Sequence, residues 1–210
     1  MAAKRGITLY HSPASRAFVA YWMLEEVGVP FDVKIVDIRK GEQKKPEYLK
    51  LNPSGKVPTL TDGKVVVSEN PAIGIYLADR YSYGALAPKI DAPDRGAYLK
   101  WMVYSTAVVD PVASLHGQQI DLPGLDMSFG TYDDMVAVLT AVLASRRWLL
   151  GDRFSAADVV LGGNISFLLY RKILPEHPTL VDYNARLTQR PAYHRAADAT
   201  WPAQLFAPPV

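Results

Sequence analysis

The side chains in this sequence that could do chemistry are hydroxyl groups rather than thiols. The chain has no cysteine, and its four histidines form no short metal-binding pair. A cysteine nucleophile, a disulfide and a thiolate metal site are therefore excluded, and no zinc site is expected. Any sulfur chemistry must use a thiol that a substrate brings. The hydroxyls of Tyr10, Ser12 and Ser15 cluster between an apolar run and a helix-like segment.

The composition of the 210 residues is that of an ordinary soluble globular protein. Apolar residues make up 49% and charged residues 21%, which argues against a disordered chain. The net charge of +2 is too small for a nucleic-acid partner. The longest apolar stretches fall short of the roughly 20 residues that span a bilayer, so we expect no membrane partner. Residues 1–6 have no signal-peptide pattern, and we expect a cytoplasmic protein.

The first part of the chain predicts a β-α-β unit. Ile7–Tyr10 is typical of a short strand, and Ser15 is a candidate N-cap for a helix from about Arg16 to Val27. Gly28 is expected at the left-handed position that ends this helix. A second, half-buried strand follows from Phe31. The two strands should be parallel, with a right-handed crossover between them.

A hairpin and a helix complete this first domain. Asp62-Gly63 lies between two apolar runs and predicts a tight turn with positive φ at both residues. Asn70-Pro71 predicts a helix to about Tyr81, with Asn70 as N-cap and Pro71 in the first turn.

The rest of the chain has helical periodicity. Ser155 and Asp158 form a predicted capping box at the start of one of these helices. The sequence therefore predicts an α/β domain over residues 1–82, a linker over 83–92 and an all-helical domain over 93–210.

Four segments of the chain resemble the cytosolic glutathione transferases. They are, in chain order, Ser12–Arg16, Leu51–Pro58, Ser68–Ile73 and Gly151–Asp158. The resemblance covers nearly the whole chain, and it is nearest to bacterial, theta-like or beta-like members that use serine. It implies a thioredoxin-like N-terminal domain followed by an all-helical C-terminal domain.

The resemblance also implies which residues bind glutathione, the co-substrate. Val57 would pair its backbone with the cysteinyl unit, and Pro58 is the candidate cis-proline. Glu69 would take the amine of the γ-glutamyl end, and Asn70, at a helix N-terminus, would take its carboxylate. The family usually has Ser or Thr at this last position, but Asn also donates hydrogen bonds. The positions that would reach the glycyl carboxylate are Gln43 and Lys56, with Lys44 as an alternative.

The residue that activates the thiol is left open by the sequence. Aligned through Arg16, the theta-like pattern makes Ser12 the catalytic serine. Ser15 is the main alternative, and Tyr10 or His11 comes third. The family's cysteine-dependent branches are disfavoured because this chain has no cysteine.

The expected reaction is attack of the glutathione thiolate on a small hydrophobic electrophile between the domains. The resemblance places Trp101, Tyr104, Val108 and His116 along that site. It also implies a homodimer. Peroxide reduction, ether cleavage, isomerisation, or glutathione binding with little turnover are the alternatives on the same site.

Overall fold

Four short strands form one mixed sheet in the first part of the chain. The computed structural model describes residues 6–120 and 127–201. The strand order is β2-β1-β3-β4, with β1 parallel to β2 and the other neighbours antiparallel. The strands are β1 (Ile7–His11), β2 (Phe31–Ile35), β3 (Thr59–Asp62) and β4 (Val65–Ser68). The predicted parallel pair is present, but β2 is an edge strand and is more exposed than expected.

Helices surround the sheet and make up the second part of the chain. The α-helices are α1 (Phe18–Val27), α2 (Pro46–Leu49), α3 (Asn70–Tyr81), α4 (Arg95–Tyr104), α5 (Asp110–Gly117), α6 (Tyr132–Ala144), α7 (Ala156–Tyr170), α8 (Pro178–Thr188) and α9 (Pro191–Thr200). Short 3-10 segments cover Ile38–Lys40 and Glu42–Lys44. Within the described ranges, no helix is long and apolar enough to cross a membrane.

This architecture confirms the predicted fold class, a thioredoxin-like domain followed by a helical one. The division at residues 83–92 remains a prediction. The outer ends of the two predicted domains, residues 1–5 and 202–210, lie outside the described residues.

The turn between β1 and α1 is longer than the sequence predicts. Helix α1 begins at Phe18 rather than near Arg16. The Ser15 hydroxyl accepts a hydrogen bond from the Ala17 amide at 3.2 Å and donates one to the Ser12 carbonyl at 2.6 Å. Ser15 therefore closes the turn before the helix instead of capping the helix itself. At the other end, Gly28 has the predicted left-handed conformation, with φ of 73°.

The hairpin is present, but its turn is shifted by one residue. Asp62 belongs to β3 and pairs with Val65, so Gly63 and Lys64 form the two-residue connection. Of these residues only Gly63 has positive φ. The expectation of positive φ at Asp62 is wrong, because its backbone continues the strand.

Helix α1 joins the two parts of the molecule. It packs against α3, α7 and α9, and its Trp22 and Leu24 are fully buried. A Cβ on Gly163 of α7 would come within 2.8 Å of a Val19 methyl group, so only glycine allows this approach. The residues before α1 are thereby held against the helical domain.

Helices α4 and α5 are joined by one π-helical turn, Ser105–Val109. Pro111 has no amide hydrogen and cannot make the usual bond to the residue four positions earlier. The Asp110 amide instead donates to the Ser105 carbonyl, five residues back. Single π-helical turns often occur at functional sites, and this one lies at a cleft between the domains.

The predicted capping box at α7 is confirmed, and it extends into a buried network. Asp158 is completely buried, and burial raises the pKa of its carboxyl to about 6. Its oxygens accept hydrogen bonds from the Ser155 amide at 2.9 Å, the Leu149 amide at 2.8 Å and the Tyr183 hydroxyl at 2.9 Å. One carboxylate thus holds together a loop, the start of α7 and α8.

Replacing Asp158 by Ala should destabilise the fold strongly, because its buried donors would lose their acceptor. We expect the free energy of unfolding to fall by at least about 3 kcal/mol at pH 8. Urea unfolding followed by circular dichroism measures the change. The exposed Asp182, one residue before Tyr183, is the matched control, and Asp182→Ala should change the value by less than about 0.5 kcal/mol. Equal losses in both variants would contradict the role of the network.

Candidate active site

A cleft of about 330 Å³ lies between the sheet domain and the helical domain. Five of the eight predicted site residues line it: Lys56, Val57, Pro58, Glu69 and Asn70. Arg16 lines it as well. Ser12, Ser15 and Gln43 are not among the lining residues.

The loop before β3 presents its backbone to the cleft. The Val57–Pro58 peptide bond is cis. The preceding Lys56 carbonyl accepts hydrogen bonds from the Tyr48 hydroxyl at 2.7 Å and the Asn52 amide at 3.0 Å. Asn52 and Tyr48 also bond the buried Thr59 hydroxyl. Tyr48 and Asn52 were not among the residues predicted from the sequence, although Asn52 lies inside the Leu51–Pro58 motif.

The segment with Gln43 and Lys44 lies against the same loop. The Lys44 ammonium donates to the Ser54 carbonyl at 3.1 Å, and Gln43 donates to the Ile38 carbonyl at 3.3 Å. A Cβ on Gly55 would come within 2.9 Å of the Gln43 carbonyl. Both predicted candidates therefore adjoin the loop that carries Lys56.

Glu69 and Asn70 lie at the start of α3. Glu69 has a φ of 70°, a strained conformation for a residue with a side chain. The prediction that Asn70 is the N-cap is wrong, because the helix already includes it. Its side-chain amide donates to the Arg16 carbonyl at 3.0 Å, and so ties the β1–α1 turn to α3.

The helical domain contributes a polar wall. Ser105, Thr106, Asp110 and Asn164 line the cleft. The Arg16 guanidinium forms an ion pair with Asp110 across the domain boundary. Asn164 donates to Asp110 at 3.0 Å and to the Ser105 hydroxyl at 2.8 Å. Burial raises the pKa of Asp110, and the charge of Glu69 acts in the same direction, whereas Arg16 and Asn164 oppose the change.

This wall differs from the expected set of Trp101, Tyr104, Val108 and His116. None of these four is among the cleft-lining residues. Trp101 is 3% exposed and belongs to the core, with Tyr104 packed edge-on against it. His116 stacks on Tyr132 with ring centroids 3.5 Å apart. The spacing of Trp101 and Tyr104 therefore reflects core packing, whereas Ser105 and Thr106 of the π turn line the cleft.

The candidate thiol activators have different surroundings. The Ser15 hydroxyl is engaged in the turn, whereas Ser12 is 4% exposed and its hydroxyl has no hydrogen-bond partner in the described part of the chain. Tyr10 packs edge-on against Tyr48 and lines a different groove. His11 is buried without a partner for either ring nitrogen among the described residues, and burial lowers its pKa to about 4.

An aromatic cavity of about 250 Å³ adjoins the cleft. The Arg16 guanidinium lies 5.7 Å from the centroid of the Phe167 ring, which lines the cavity. On α7, Asn164 lines the cleft and the preceding Gly163 lines the cavity. The aromatic lining residues are Phe18, Phe167, Tyr170, Tyr193 and Trp201.

Two family models match the chain. The model described as "Glutathione S-transferase, N-terminal domain" covers residues 5–79. The model described as "Glutathione S-transferase, C-terminal domain" covers residues 123–199. Together they include both walls of the cleft except its α4–α5 part.

Curated relatives agree with these models. Glutathione S-transferase F10 of Arabidopsis thaliana is 32% identical over 164 residues, 73% of this chain and 76% of the relative. Glutathione S-transferase hmp2 of Hypomyces subiculosus is 29% identical over 206 residues, 90% of this chain and 97% of the relative.

Solved structures are similar as well. A theta-class glutathione S-transferase from Xanthomonas axonopodis pv. citri, with glutathione bound, is 33% identical with a TM-score of 0.73, covering 91% of this chain and 97% of that one. A glutathione transferase from Burkholderia graminis, with two glutathione molecules bound per subunit, is 27% identical with a TM-score of 0.76. The match covers 95% of this chain and 90% of that one. The chain described here therefore belongs to the glutathione S-transferase family, as its four sequence motifs predict.

Proposed function

We propose that the chain holds glutathione in the cleft, uses Ser12 to favour its thiolate, and directs that thiolate at a small hydrophobic electrophile in the aromatic cavity. The observation that carries the proposal is the convergence of Val57, Pro58, Glu69 and Asn70 on one cleft beside that cavity. Family membership confirms the prediction that the chain is a glutathione transferase with glutathione as co-substrate.

The proposed pose uses the first-domain wall. The Val57 backbone pairs with the cysteinyl unit, as an added strand pairs with an exposed backbone edge. Glu69 binds the amine, and Asn70 with the N-terminus of α3 binds the carboxylate of the γ-glutamyl end. Lys56, with Gln43 or Lys44 beside it, binds the glycyl carboxylate.

Ser12 is the better candidate of the two serines to activate the thiol, because its hydroxyl is not engaged by another described residue. A free thiol has a pKa of about 8.5, so little of it is thiolate at neutral pH. One charge-assisted hydrogen bond contributes about 1.5–3 kcal/mol, enough to lower that pKa by about one to two units. The Ser12 hydroxyl has its proton to donate, whereas the Ser15 proton is already donated to the Ser12 carbonyl. We therefore place the chain with serine-type, theta-like members of the family.

The aromatic cavity is the proposed electrophile site. Its volume of about 250 Å³ and its ring-lined wall suit a single-ring hydrophobic molecule. Its neighbour Arg16 lies at the junction with the cleft, so the two substrates would meet beside this residue.

We also propose a cytoplasmic homodimer. Apolar side chains are exposed on β4 and α4, where a second copy would cover them: Val65, Val66, Leu99 and Val103. Sedimentation should then give twice the chain mass of 23.2 kDa, and Val103→Glu should shift the protein toward monomer. A wild-type protein that sediments as a monomer at micromolar concentration would contradict this assignment.

Replacing Ser12 by Ala should impair thiol ionisation. We expect the pKa of bound glutathione to rise by about one to two units and kcat/KM with 1-chloro-2,4-dinitrobenzene to fall at least tenfold. Ultraviolet absorbance of the thiolate, titrated against pH, measures the first effect. Ser15→Ala is the matched control and should leave the thiol pKa unchanged. The reverse pattern would identify Ser15 as the activator.

Shortening Phe167 to Ala should weaken binding of the electrophile and spare glutathione. We expect the KM for 1-chloro-2,4-dinitrobenzene to rise roughly tenfold through lost apolar contact, with the glutathione KM within about twofold of wild type. Phe129→Ala is the control, because Phe129 lines a separate cavity between α5 and α6. An unchanged electrophile KM in Phe167→Ala would place the electrophile elsewhere.

A further inference from the structure

We infer that a groove between the end of α6 and α8 binds a phosphate group through three arginines, either as a small phosphate monoester or as the free ion. The groove shares no lining residue with the cleft or with the aromatic cavity, so this inference is independent of the proposed function. Its volume of about 520 Å³ is within the range of roughly 300–1,000 Å³ that small-molecule sites occupy. The polar residues that line it are Ser145, Arg146, Arg147, Thr179, Asp182 and Arg186.

The groove carries an excess of positive charge. Within residues 6–120 and 127–201, none of its three arginines forms an ion pair. Among the described residues that line the groove, Asp182 is the only carboxylate, and it is exposed. The C-terminus of α6 adds only about half a negative charge, so it offsets a small part of the excess. A phosphate monoester carries a charge of about −1.5 to −2 at pH 7 and would neutralise the remainder.

Two of the arginines are held in position by contacts with the protein. Arg186 donates from Nε to the Arg147 carbonyl at 3.3 Å, and its guanidinium lies 5.8 Å from the centroid of the Tyr183 ring. The Arg147 guanidinium lies 5.9 Å from the centroid of the Trp148 ring. Both aromatic residues are buried. Cations that are already fixed close together repel each other, and they need little further ordering to bind an anion that removes this repulsion.

The groove also offers the hydrogen-bond donors that a phosphate group requires. Arg186 uses only Nε in its bond to the protein, and Arg146 uses one terminal nitrogen, so both keep donors for a ligand. The Arg147 guanidinium and the hydroxyls of Ser145 and Thr179 donate no hydrogen bond to any residue that the structure describes. Guanidinium groups bind phosphate through two parallel hydrogen bonds, which a carboxamide or an ammonium cannot reproduce.

The experiment uses phenyl phosphate and inorganic phosphate as probes, in titration calorimetry of the full chain with and without glutathione. We expect a submillimolar dissociation constant for phenyl phosphate that glutathione does not change. Arg147→Gln and Arg186→Gln should each weaken this binding by about fivefold or more, because each removes a charged donor. Arg39→Gln is the matched control and should stay within about twofold of wild type, since Arg39 is also exposed and forms no ion pair with a described residue, but lies outside the groove.

Asp182→Asn provides a variant with the opposite effect. The Asp182 side chain makes no hydrogen bond or ion pair with a described residue, so the substitution removes no contact that supports the fold. It removes one negative charge from the groove and should tighten binding of phenyl phosphate about twofold or more. It tests the inference even if an arginine variant does not fold, and unchanged or weaker binding would contradict it.

The two probes distinguish the sources of the phosphate group. Tighter binding of phenyl phosphate identifies an ester whose organic part contacts Leu143 and Ala144, and tighter binding of inorganic phosphate identifies the free ion; either result supports the site. Benzenesulfonate, a monoanion with the same ring, should bind about fivefold more weakly than phenyl phosphate, and equal affinity would overturn the assignment to phosphate. The inference is also overturned if neither phosphate binds, or if both arginine variants bind as wild type does, and the proposed glutathione chemistry stands in each case.

Discussion

Arg16 is held at both ends by residues distant in the sequence, and the geometry of the cleft depends on this. Its carbonyl accepts from Asn70 of α3, and its guanidinium pairs with Asp110 of α5. Within the turn between β1 and α1, Ser15 makes the local hydrogen bonds to Ser12 and Ala17, and the Ala14 amide donates to the Thr200 carbonyl. The two contacts of Arg16 position this turn relative to α3 and to the helical domain together.

Such fixed polar groups are what a glutathione transferase needs. The protein has no cysteine, so its contribution is to hold hydrogen-bond donors and charges close to the place where the sulfur of a substrate becomes anionic. Donors that are already in position need no reorganisation when that charge develops. The buried contacts of Tyr48 and Asn52 serve the same end, because they hold the Lys56 carbonyl and with it the backbone of Val57. The rigidity of the site therefore comes from residues that need not touch the substrate.

The parts of the fold that the sequence predicted are those with local causes. Gly28 ends α1, Asp62-Gly63 marks the hairpin, and Asn70-Pro71 marks the start of α3, each through the backbone preferences of adjacent residues. The errors at Ser15, Asp62 and Asn70 are shifts of one or two positions within such signals. For Asn70 the cause is tertiary, since its side chain binds Arg16, 54 residues away, instead of its own helix.

The polar wall could not be predicted by the same reasoning. The family resemblance placed Trp101 and His116 along the site, but a resemblance does not say which side chains of these helices pack inward and which line the cleft. The turn of π-helix, caused by Pro111, changes which side chains face the first domain. A proline inside a helical pattern was the available signal, and it indicates a distortion without giving its direction.

In the proposed arrangement, the polar cleft and the aromatic cavity separate the two substrates by their chemistry. On α7, one residue serves each side, because Asn164 lines the polar cleft and Gly163 lines the apolar cavity. Gly163 is required there by the approach of Val19, so the packing of α1 on α7 sets the position of the boundary. A larger residue at 163 would press on Val19 and shift α1 relative to α7. The contact between α1 and α7 thus helps to determine how the two domains meet at the cleft.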